Sequence, residues 1–206
     1  PSVAADRMPG EVPSTSTPWV TDGQVNRIVQ VGDLMIAAGK FTQVSDPMGG
    51  ATLTRQNIFA FDAATGAVSN SFAPSVDGEV RQLLPGPTSD TVYVAGEFSK
   101  INGRGPNHVQ LLNVHTGQAL SSFNAPSTNG AIQAMQLLPG NRLFIGGSFT
   151  KVGGASYGQL ISLNATTGAL DPFMNLTATL RHNTSSGARG PIGPREATVT
   201  PAGDRM

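Results

Sequence analysis

The sequence has no cysteine, which removes disulfides, thiolate metal ligands and cysteine nucleophiles together. It leaves the redox compartment open. Charge is also scarce. Only 13% of the residues are charged, and 13 basic against 13 acidic residues give a formal net charge of zero. No overall field is therefore present to attract nucleic acid or an anionic membrane, and the basic residues stand singly rather than in runs. No stretch approaches the roughly 20 apolar residues of a membrane span. Aromatic residues are 6% of the chain, with Trp19 the single tryptophan. What the sequence does have is glycine (25), proline (15) and 38% hydrophobic residues in a chain of 206. That is enough apolar content to bury a core, and turn-forming residues are plentiful.

Self-comparison shows an internal repeat. The segments beginning at Asn57, His108 and Gln159 align, and Asp62, Asn113 and Asn164 fall 51 residues apart each time. Gly66, Gly117 and Gly168 keep the same spacing. Upstream, Gly39, Gly96 and Gly147 align, each followed two residues later by Phe41, Phe98 or Phe149. Further upstream, Gly23, Gly78 and Gly130 align in "DGQVNRIVQ", "DGEVRQLLP" and "NGAIQAMQL".

Each repeat predicts four strands. The first starts at Val25, Val80 or Ile132 and ends in a Gly- or Pro-containing turn. The second is apolar on both faces, as in Val92-Tyr93-Val94 and Leu143-Phe144-Ile145, so it is expected to be covered on both sides. The small pairs that follow, such as Ala95-Gly96, suit a close approach of backbones. The third strand ends in Asp/Asn-x-x-Thr-Gly, where the Asx side chain can bond turn amides and glycine can take positive φ. The fourth ends on Phe72, Phe123 or Phe173. Repeated four-stranded sheets of about 51 residues predict an all-β partial propeller, with three blades plus the start of a fourth. The expected boundaries are an N-terminal extension over 1–22, with a closing outer strand near 11–20, and an incomplete propeller over 23–206. Its repeats run 23–76, 77–128, 129–180 and 181–206. Downstream blades of the same polypeptide are expected beyond Met206.

The pattern x-Gly-x-Phe-Thr/Ser-x-Val/Ile, followed by Asp/Asn-x-x-Thr-Gly and a later Phe, resembles the delta-60-type β-propeller repeat. The resemblance covers about residues 23–180. It implies an exported bacterial protein, secreted or at the cell surface, and it brings no catalytic residues. Quinoprotein and kelch repeats share parts of the pattern, but the tryptophans that mark them are missing.

No catalytic constellation, metal set or cofactor motif emerges. His108 and His115 flank one strand and its turn with no third ligand in step, and together with His182 they read as surface histidines. The recurring Asp62, Asn113 and Asn164 read as turn residues. Three sequons occur at Asn164, Asn175 and Asn183, and in a bacterial protein they are simply polar sequence. Repeat one carries a longer loop, "SDPMGGATLTR", between its second and third strands, and loops on one rim often carry function. The first strands of propellers line the axis, so Asn26, Arg27, Arg81, Gln82 and Gln133 are the candidate channel-facing binding positions. The function expected is a non-catalytic binding or adhesion scaffold. Its partner, which the sequence does not name, would be a glycan or a surface protein. The alternative is a propeller hydrolase or lyase whose site needs further blades.

Overall fold

A computed structural model describes residues 15–48 and 50–176. The described chain is all-β. Its strands are β1 (Trp19–Val20), β2 (Gln24–Val31), β3 (Leu34–Lys40), β4 (Gln43–Ser45), β5 (Thr52–Thr54), β6 (Ile58–Asp62), β7 (Val80–Pro85) and β8 (Thr91–Gly96). They continue with β9 (Val109–Asn113), β10 (Ile132–Leu138), β11 (Arg142–Gly147), β12 (Lys151–Val152), β13 (Ala155–Ser156), β14 (Leu160–Asn164) and β15 (Leu170–Leu176). Three antiparallel sheets follow the repeat: β2-β3-β6, β7-β8-β9 and β10-β11-β14-β15.

The sheets stack face to face through their middle strands. Alternate side chains of a strand leave on opposite faces, and the two faces of β8 enter different cores. Val92 and Val94 join Ile36, Ala38, Ile58 and Phe72 between the first and second sheets. Tyr93 and Ala95 join Leu143, Ile145, Ile161 and Phe123 between the second and third. The doubly apolar second strand therefore has the packing its sequence predicts. Tyr93 ties the two sheets further: its hydroxyl donates to the Ala165 carbonyl, and its ring meets Phe123 edge-on at 5.6 Å. Burial pushes that phenol up to about 12.

The glycines after the second strand mark close approach. A Cβ on Gly39, Gly96 or Gly147 would stand 2.0–2.2 Å from the carbonyl oxygen of Gln24, Glu79 or Ala131. Each of those carbonyls belongs to the start of the same repeat, so strand crossing requires glycine there.

The four-stranded expectation needs correction. Among the described residues, only the third sheet has a fourth strand. In the first two, the chain after the Thr-Gly turn makes one bridge, Phe61 with Val68 or Leu112 with Ala119. It then leaves the sheet. The cause is the phenylalanine that follows: Phe72 and Phe123 enter the inter-sheet cores, and the chain cannot follow the ladder and reach the neighbouring sheet together. Phe173 departs from the expectation in the other direction. It stands five residues after its turn glycine, where Phe72 and Phe123 stand six after theirs. Between Ile161 and Ser162 the ladder shifts, so that Pro172, Phe173 and Met174 bulge from β15. Phe173 is 57% exposed, against 0% for Phe72 and 3% for Phe123. The start of a fourth repeat at 181–206 and residues 11–14 of the expected outer strand at 11–20 lie outside the described residues. Trp19 and Val20 pair with β4, alongside β5 in a small separate sheet.

Candidate functional site

The three first strands, β2, β7 and β10, run beside one another where the sheets converge. Each carries a β-bulge at the same place, between Val25 and Arg27, Val80 and Gln82, or Ile132 and Ala134. The extra residues are Asn26, Arg81 and Gln133. A bulge re-aims a side chain that would otherwise alternate with its neighbours. All five sequence candidates come together as a result. Asn26, Arg27, Arg81, Gln82 and Gln133 line one cleft of about 290 Å³. The bulges were missed at the level of sequence, because nothing in "VNR", "VRQ" or "IQA" distinguishes an extra residue from a regular one.

Neighbouring strands hold these side chains in place. Asn26 donates from Nδ2 to the Val80 carbonyl at 2.8 Å and to Glu79 Oε1 at 2.9 Å. Arg27 Nε donates to Gln82 Oε1 at 3.3 Å, and Gln82 Nε2 donates to the Gln133 carbonyl at 2.7 Å. Side chain thus follows side chain from sheet one to sheet three. Arg81 meets Glu97 Oε1 at 2.6 Å through Nη2, with Nε also donating at 3.1 Å. Its Nη2 lies 3.4 Å from Glu79 Oε2. Glu79 and Glu97 are site residues that the sequence reading overlooked. The available signal was the antiparallel pairing of Val80 with Gly96, which brings the residues beside them, Glu79 and Glu97, together.

The remaining candidates keep their plain readings. Asp62 Oδ1 accepts from the Ala64 and Thr65 amides at 3.0 and 2.7 Å, and Asn113 and Asn164 repeat this with their own turns. Those hydrogen bonds from Thr65 hold the Asp62 carboxyl below its ordinary value. His115 is exposed, and His182 lies outside the described residues. His108 is half-buried, with Nδ1 3.0 Å from Thr128 Oγ1. Among the described residues no group of three or more His, Cys, Asp or Glu could hold a metal ion. Nor is any helix there long and apolar enough to cross a membrane. Of the sequons, Asn164 is occupied by its turn, Asn175 Oδ1 accepts from the Gly158 amide at 2.9 Å, and Asn183 lies outside the described residues. The long loop of repeat one extends the β4–β5 hairpin. Arg55 closes it, buried, donating to the carbonyls of Thr54 and Ser69.

A search of curated proteins found no match. Among solved structures, the WD40 β-propeller domain of Doa1 is similar with a TM-score of 0.54 at 13% identity, over 87% of this chain and 45% of that one. The chain thus spans less than half of that structure. The computationally designed Ika4 protein aligns with a TM-score of 0.45 at 14% identity, over 73% of this chain and 71% of that one. BamB from Moraxella catarrhalis aligns with a TM-score of 0.41 at 18% identity, over 82% and 54%. At these identities the likeness concerns fold alone. The family model described as the Rax2 C-terminal beta propeller domain matches residues 58–188, more than half of the chain. With three stacked antiparallel sheets in repeat order and a match of that length, the chain belongs to the Rax2 C-terminal β-propeller family.

Proposed function

We propose that this chain is a non-catalytic binding and scaffold module of the extracellular space or cell surface. It is built from delta-60-type repeats of about 51 residues and shares its ring with further blades of the same polypeptide. The observation that carries the binding reading is the cleft. Five side chains from three repeats converge there, and none belongs to an apolar core. Ligand sites favour such concave places with a few oriented polar groups. The non-catalytic reading draws on the same geometry, since the bonds of Glu97 and of Glu79 Oε2 run to Arg81. Among the described residues, no nucleophile–base pair stands in the cleft lining. The extracellular setting rests on the repeat resemblance.

The test is a glycan array and a panel of extracellular proteins, probed with the chain and with an Arg81→Ala/Gln133→Ala double variant of unchanged melting temperature. Binding by the parent that the variant loses supports the reading. Equal binding by both would place the ligand elsewhere, and silence on every surface would remove the binding role.

A further inference from the structure

We infer that the cleft selects a neutral, polyhydroxylated ligand, a pyranose unit of an uncharged glycan, over an anionic or cationic one. This rests on the cleft being the binding surface. Three features of the lining point to the class.

The first is charge. The cleft lining holds two guanidinium groups, Arg27 and Arg81, and two carboxylates, Glu79 and Glu97, flank Arg81. An anion approaching Arg81 competes with Glu79 and Glu97, which already hold that guanidinium. An approaching cation meets both arginines. The formal charges of these four groups cancel, and an ionic ligand must be stripped of water to enter.

The second is hydrogen-bonding capacity. The lining ends in planar groups, two guanidinium and three carboxamide, and neighbouring strands orient most of them. The Gln133 side chain differs, since the bond at its position uses its backbone carbonyl and leaves the carboxamide to the cleft. A carboxamide offers donors and an acceptor side by side, and a hydroxyl both donates and accepts. Vicinal hydroxyls of a pyranose match that pairing, whereas a carboxylate ligand can use only the donors.

The third is what the lining lacks. None of its five residues is aromatic or aliphatic, so ring stacking and hydrophobic transfer contribute little, and recognition falls to polar contacts. Because the Asn26, Arg81 and Gln133 bulges occupy equivalent positions in successive repeats, they meet the ligand together and suit a compact unit.

The test titrates the 206-residue chain with xylotriose and maltotriose as neutral probes, trigalacturonate as the anionic probe and the chitosan trimer as the cationic one. Side-chain amide resonances of asparagine and glutamine and calorimetry provide the readouts. At least one neutral probe should shift the Gln82 and Gln133 amides and bind about tenfold or more tighter than either ionic trimer, a preference of the order that one unmatched polar group imposes. Gln133→Ala should weaken it about fivefold, as loss of one neutral hydrogen bond does, and added salt should leave it unchanged. Tighter binding of an ionic trimer at the same amides would overturn the ligand class while leaving the cleft as the binding surface. A neutral probe that binds without shifting those amides, and equally in Gln133→Ala, would overturn both. No binding by any probe would overturn the class.

Discussion

Gly168 answers two demands at once. Its φ is +76°, and a Cβ there would lie 2.7 Å from the Ala125 amide nitrogen, in the segment that leads into the same repeat. Gly66 and Gly117 share both the positive φ and the crowding. The Thr-Gly motif made the dihedral legible, but the contact with a distant segment was not, because it depends on how the chain returns. Gly168→Ala should therefore cost more than the ~1–2 kcal/mol of left-handed strain alone, read as a lowered melting temperature. A neutral result would sink the close-approach argument. His108 supplies a second test. Burial pulls its imidazole below the usual 6.5, opposed by the Asp77 charge and the bond to Thr128. The folded state thus favours neutral histidine, so this group's stability is present above the unfolded value and is lost as pH falls through the folded one. Urea midpoints should drop on mild acidification through that range. The His108→Asn variant should show a shallower drop, and an identical slope would acquit His108.

At the scale of the element, the third strand and its turn were readable from sequence and the fourth strand was not. Strand three is decided locally, by alternating apolar residues and an Asx turn. The fate of strand four depends on one residue of spacing before a phenylalanine, and that spacing acts through the neighbouring sheet. Phe72 lies in the core between sheets one and two, while Phe173 sits on a bulge with Arg142 4.3 Å above its ring. Phe72→Ala should cost about 3–5 kcal/mol as a large core deletion. Phe173→Ala should cost about 1 kcal/mol or less, the worth of an exposed cation–π contact. Equal losses in chemical denaturation would mean that the two phenylalanines do the same work after all. The candidate cleft divides in the same way. Its five side chains were legible because first strands carry the polar exceptions, whereas the bulges that aim them, and the pairing of Glu79 and Glu97 across the ladder, emerge only with strand register.

Across the described residues, the sheets form separate ladders that meet by side-chain packing and side-chain hydrogen bonds, while single bridges such as Val76 with Ile101 and Thr128 with Val152 tie the end of one repeat to the next. The same position tells where a neighbour is present. Leu83 and Met135 are each 2% exposed against the preceding sheet, while their counterpart Ile28 is 54% exposed. Stability in such an array is a sum of unit terms and nearest-neighbour interfaces. Leu143→Asp, which buries a charge between sheets two and three, should cost several kcal/mol. In hydrogen exchange it should deprotect β8 through β14 before β2 and β3. Uniform loss of protection would show that the three sheets melt as one body.

The forward placement of Phe72 and Phe123 bears on how such a protein can be cut and spliced. A sequence repeat runs from one Asp/Asn-Gly pair to the next, but the packed unit does not, since the phenylalanine closing one repeat fills the interface with the next. An engineer who duplicates or deletes a blade at the repeat boundary, just after the phenylalanine, keeps that aromatic ring while exchanging the sheet it must fit. A junction inside the Thr-Gly turn carries the ring, the segment behind it and the receiving sheet together as one cassette.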